Sequence, residues 1–137
     1  MDIRSLTEEE IEALEDGLRL AAKLVEGQLP LSAGEVQSLY DALCRSEGEN
    51  VEAEIAAGLA FGALIASKSD MEWVRVVDDY GEETALSPPG LQMVCNPISM
   101  LRKRIASNEE IDIAELCGGL IGMIEKGIAT GEYGKRR

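Results

Sequence analysis

IAAGLAFGALIA, residues Ile55–Ala66, decides how this chain folds. The run carries no charge and no strong polar group, and the acidic Glu52 and Glu54 stand just before it. A surface helix shows its apolar residues as one stripe, so a helix apolar all round must be enclosed by other elements. Gly58 and Gly62 are four residues apart, which places them on one face and lets a neighbouring backbone come close. The stretch therefore reads as a central buried helix, too short to span a bilayer. The remaining segments must wrap it.

Toward the N-terminus, two amphipathic helices precede it. Thr7 with Glu10 has the spacing of a capping box, and Ile11, Leu14, Leu18, Ala22 and Val25 keep helical period as far as Gly27. Ser32 with Glu35 repeats that signature ahead of Val36, Leu39, Tyr40 and Leu43. The segment 46–50, SEGEN, breaks the second helix and offers Asn50 as a cap for the central one.

Beyond Ala66 the period changes. EWVRVV (72–77) is rich in β-branched and aromatic residues, DDYG (78–81) is a turn, and EETALS (82–87) returns as a second strand. LQMVC (91–95), after Pro88-Pro89-Gly90, reads as a third strand and completes an antiparallel meander. Strict alternation sets Trp73, Arg75 and Val77 on one face and Val74 and Val76 on the other, the valines being the natural cover for the central helix. Asn96-Pro97 starts a further helix, and Asp112 with Glu115 caps the last one. Gly118, Gly119 and Gly122 weaken that last helix, which is tolerable where another helix crosses closely. The expected architecture is a single α+β domain over 1–137: about five helices around a three-stranded antiparallel meander. Residues 1–50 supply two acidic amphipathic helices, 51–130 the core, and 131–137 a frayed tail.

Composition narrows the function. The 137 residues hold 26 acidic and 13 basic side chains, a net charge of −13, which repels nucleic acid and anionic membranes and attracts basic partners. There is no histidine, so imidazole is excluded both as a general base and as a metal ligand. No Walker loop and no G-x-G-x-x-G after a strand is present. Cys44, Cys95 and Cys117 are odd in number and widely spaced, which fits reduced structural thiols in a cytoplasmic protein. The start MDIRSLTEEE lacks an apolar leader core. No enzyme activity and no cofactor is expected.

AGLAFG, EWVRVVDDYGEE and NPISMLRKRI together resemble a bacterial family known only as a domain of unknown function. Its members look like small α+β proteins pairing a Trp-bearing strand, an acid-Tyr-Gly turn and a Pro-started helix with a basic pair. The similarity covers roughly residues 55–115. It implies the fold and a bacterial cytosolic origin, and it brings no catalytic residues.

Four groups of residues are candidates for binding. Asp78, Asp79, Glu82 and Glu83 crowd one turn around Tyr80, either as a cation or acid/base site or as a solvated tip. Arg102, Lys103 and Arg104, with Arg75 if strand and helix are adjacent, could take an anion or simply neutralise carboxylates. Trp73 either packs against a flanking helix or sits on a partly open face with Arg75, where the two residue types are those enriched at interface hot spots. Glu12, Glu15 and Asp16, with Glu8, Glu9 and Glu26, make the first helix an acidic surface that could steer a basic protein. The leading expectation is a non-enzymatic protein-binding domain, most concretely an acidic immunity-type inhibitor of a basic bacterial toxin. The alternatives are a small-ligand or metal-binding protein using the turn carboxylates or the Arg75/Arg102–Arg104 patch, and a structural homodimer formed around Trp73.

Overall fold

α3 (Val51–Ser67) is the spine of the molecule, and 11 of its 17 residues are buried, which no single-sided helix achieves. Asn50 caps it by accepting from the Ala53 amide. The computed structural model describes residues 1–136; Arg137 lies outside the described residues. Among these, β1 (Asp2–Arg4), α1 (Glu8–Leu24) and α2 (Ala33–Arg45) precede α3. β2 (Glu72–Asp78), β3 (Gly81–Ser87), α4 (Pro97–Ala106) and α5 (Ile113–Thr130) follow it. The fold is α+β, five helices with a three-stranded antiparallel sheet in the order β1-β2-β3.

Local chemistry sets the helix starts. Thr7/Glu10 and Ser32/Glu35 form reciprocal capping boxes, so two orphan amides at each start are satisfied within four residues. Asp112 accepts from the Glu115 amide at the start of α5. Gln37 of α2 supports the same start, accepting from the Ile113 amide at 2.7 Å and donating to the Ile111 carbonyl at 3.0 Å. Asn96 occupies the cap position of α4 without a side-chain bond, and Pro97 begins the helix.

α1, α2, α4 and α5 all pack on α3. α4 comes closest: a Cβ on Gly58 would stand 2.6 Å from the Cα of Ile98. Phe61, Ile65, Tyr40, Leu86, Leu101 and Ile113 fill the main core between these helices and the inner face of the sheet.

The sheet corrects two expectations. Its third strand is β1, with Ile3 opposite Val76, and among the described residues the segment 91–95 makes only isolated bridges, Cys95 with Leu86 and Leu91 with Lys135. Two features stop a longer ladder there. Pro88 and Pro89 lack amide donors, and the buried Ser87 hydroxyl donates to the Met93 carbonyl at 2.6 Å. The faces of β2 are also reversed. Trp73 turns inward with Leu86, while Val74 and Val76 join Ala85, Ile3 and Val94 in a separate small cluster. The segment after α5, expected to fray, is tied down as far as Arg136. The Gly134 carbonyl accepts from the Gln92 amide, and the Arg136 guanidinium donates to the carbonyls of Leu91 and Pro88.

Candidate functional site

Between α1 and α4, with α3 as floor and the β2–β3 hairpin as end wall, lies an open groove of about 620 Å³. Its apolar lining is Ala13 and Leu14 of α1, Ile55 and Leu59 of α3, and Ile98 of α4. Polar groups sit at the sheet end: Arg75, Thr84, Glu82 and Glu83, with Glu10 of α1 and Ser99, Arg102 and Lys103 of α4. Five residues singled out from the sequence thus converge, although they come from segments far apart in the chain. Those are Arg75, Glu82, Glu83, Arg102 and Lys103.

Arg4 organises the acidic rim. It holds Glu10 through both guanidinium nitrogens, at 2.7 and 3.0 Å, and reaches Glu82 at 3.3 Å. The second oxygen of Glu10 lies 3.2 Å from Arg75 Nε, and Arg75 also donates to Thr84 Oγ1 at 3.0 Å. Arg4 and Arg75 face each other across β1 and β2, so Glu10 separates two like charges. The Arg4 hydrogen bond, then the Thr7 backbone amide, hold the Glu10 carboxyl down at about 2, well below its ordinary 4.5. Glu83 accepts from the Ser99 hydroxyl.

At the other wall Arg102 spans Glu54 at 3.3 Å and Glu49 at 3.1 Å. Glu54 is a buried carboxylate on the spine, so Arg102 neutralises a charge that would otherwise be costly. Lys103 is exposed and has no ion-pair partner among the described residues. Charge inside the groove is therefore nearly balanced. Arg75 and Arg102 are already answered by carboxylates, which is unlike a preformed phosphate cradle.

The other sequence candidates separate. Residues 102 and 104 are two apart on a helix, which turns them to different sides. Arg104 leaves the groove, donates to the Met100 carbonyl and borders a second depression with Met93 and Met123. Trp73 is half-buried, with the end of its indole against Gly62 near Pro97. Glu12, Glu15 and Asp16 line the solvent side of α1, Asp16 paired with Arg19. At the hairpin tip Asp78 accepts from the Tyr80 amide and Asp79 is exposed. The tip carboxylates do not converge: Glu82 turns to Arg4 and Glu83 to Ser99, and among the described residues no three acidic or thiol side chains form a metal-holding group.

Tyr80 is 99% exposed, with Met1 57% exposed beside the same tip. Sequence reasoning missed Glu10, Ser99 and Thr84 as groove residues, and Glu54 as the buried partner of Arg102. Glu10 carried a visible signal, Arg4 at six residues' distance, but its capping role concealed the second one. The Cys95 thiol is buried and pushed up to about 11, and burial raises that of Cys117 as well. No helix among the described residues is long and apolar enough to cross a membrane.

A family model described as a domain of unknown function (DUF3806) matches residues 35–116. No curated protein matches the chain. A crystal structure of a protein from Bacteroides thetaiotaomicron VPI-5482, determined at 1.50 Å, is similar with a TM-score of 0.69 and 17% identity over 88% of this chain. At that identity the likeness is one of fold. The match covers 48% of that protein, so this chain spans about half its length.

Proposed function

Because the chain belongs to the domain-of-unknown-function family DUF3806, we propose its function from its own surface: a non-enzymatic module that binds a basic protein in the cytoplasm. The most concrete form is an immunity-type inhibitor that occludes a basic bacterial toxin. The observation that carries this reading is Tyr80, 99% exposed on a hairpin tip flanked by Asp78, Asp79 and Glu82. An exposed tyrosine with carboxylates on either side in the chain suits an anchor whose surroundings select cations. Arg4 adds to it by bonding Glu10 and Glu82 together, so the acidic start of α1 and the hairpin form one continuous surface. The groove behind the tip offers apolar walls and both signs of charge, which matches an inserted polypeptide segment better than a bare anion. Glu12, Glu15 and Asp16 extend the negative field along α1.

The test is a titration of the purified chain against the product of a neighbouring gene that encodes a basic, toxin-sized protein. Binding is expected to weaken with salt, and Tyr80→Ala or Asp78→Lys with Asp79→Lys is expected to weaken it about tenfold or more. Salt-independent binding that survives both changes would overturn the reading.

A further inference from the structure

α5 has two unlike faces. Ile113, Cys117 and Ile124 are buried, and Gly127 packs against Met93 and Tyr133. Glu115, Gly118, Gly119, Gly122, Met123 and Lys126 are all exposed, and they occupy one arc of roughly 140° at 3.6 residues per turn. Among the described residues nothing lies within 4 Å of where a Cβ would stand on any of those three glycines. Each glycine weakens the helix relative to alanine, and no close contact with another described residue requires it. Met123 is 66% exposed on the same face. Glu115 and Lys126 have no ion-pair partner among the described residues.

The spacing of these six residues is self-complementary. Glu115 and Lys126, Gly118 and Met123, and Gly119 and Gly122 all share one midpoint, between residues 120 and 121. An identical helix laid antiparallel about that point sets Glu115 opposite Lys126 twice, sets each Met123 into the space over Gly118, and lets the backbones approach at Gly119 and Gly122. Such mutual matching is the requirement of an isologous contact. We propose that the outer face of α5 binds a second copy of this chain, α5 antiparallel to α5 about a two-fold axis near residues 120 and 121.

A helix of 18 residues is about 27 Å long and covers roughly 300 Å² of its partner. A standard interface buries about 800 Å² on each side, so the dimer is weak and forms at high protein concentration. The surface used is separate from the Tyr80 tip, and the two proposals stand independently.

Sedimentation equilibrium from about 10 µM to about 1 mM tests it. The wild-type mass is expected to rise from monomer toward dimer across that range. Glu115→Lys and Lys126→Glu, each alone, place like charges opposite one another twice and are expected to weaken association about tenfold. An equimolar mixture of those two variants restores both attractions and is expected to associate as well as wild type. Gly122→Ala is expected to weaken association while leaving the chain folded, which separates loss of contact from loss of fold. A monomer at every concentration overturns the proposal. So does a dimer indifferent to all three substitutions, or a variant mixture that fails to recover.

Discussion

Gly62 lies against the indole of Trp73 and the ring of Pro97, so one position on α3 seats both β2 and α4: a Cβ there would stand 2.8 Å from Pro97 Cγ and nearer still to Trp73. The inward turn of Trp73, the reversal of the β2 faces and the placing of Arg75 at the groove all follow from that contact. A larger residue at position 62 would push the strand or the helix away from the spine.

Gly62→Ala and Gly58→Ala are accordingly expected to destabilise the chain by about 2–3 kcal/mol each, as overpacking does in a filled core. Gly58 is the more severe site, because its added methyl would meet the Ile98 backbone and not a mobile side-chain end. Urea denaturation followed by Trp73 fluorescence measures both. A change below about 0.5 kcal/mol at either site would contradict the packing described.

Gly118→Ala and Gly122→Ala are expected to act in the opposite direction. The added Cβ meets open space, and each substitution should raise monomer stability by up to about 1 kcal/mol. The same denaturation at low protein concentration, where the monomer prevails, reads the effect.

Acid sensitivity should centre on Glu10. Its folded pKa, about 2, lies below its ordinary 4.5, so its contribution is complete above 4.5 and is lost as pH falls toward 2. Glu10→Gln is expected to flatten the stability profile across that window. An unchanged profile would show that the Arg4 clasp contributes nothing. At the alkaline end Cys95 acts with the opposite sign: its pKa is raised from 9.0 to about 11, so stability falls as pH rises through that interval.

Thiol labelling should be stepwise. Cys44 is half-buried, whereas Cys95 and Cys117 are 7% and 2% exposed. One thiol is expected to react with an aromatic disulfide reagent in the native protein at neutral pH, and the other two only on unfolding. Three equal fast rates would be inconsistent with the core.

Gln37→Ala removes a side chain that bonds both the Ile113 amide and the Ile111 carbonyl. A loss of about 1–2 kcal/mol is expected, with earlier fraying at the start of α5 in hydrogen exchange.

What could be read along the chain was local. The capping boxes at Thr7 and Ser32 are legible because donor and acceptor sit three residues apart, and the buried spine is legible because Ile55–Ala66 has no polar side to offer water. β1 is not legible, since three residues, Asp2–Arg4, carry no alternation. The pairing of Arg75 with Arg102 around one groove is equally hidden, because nothing in 26 intervening residues reports on the approach of α4 to α3. The α5 glycines mislead for a related reason: a glycine signals possible closeness, and Gly58 and Gly62 have it within the chain while Gly118, Gly119 and Gly122 do not.

By itself, then, the amino-acid order determined the helix starts, the uncharged spine, the paired strands β2 and β3, and the excess of carboxylates, all of which depend on neighbours within a turn or a hairpin. Tertiary structure alone decided which face of β2 turns inward, which strand completes the sheet, how Arg102–Arg104 divides, and that Arg4 ties α1 to the hairpin. Those outcomes depend on steric fit and charge pairing between segments up to 78 residues apart, and periodicity along one segment carries no record of what a distant one presents to it.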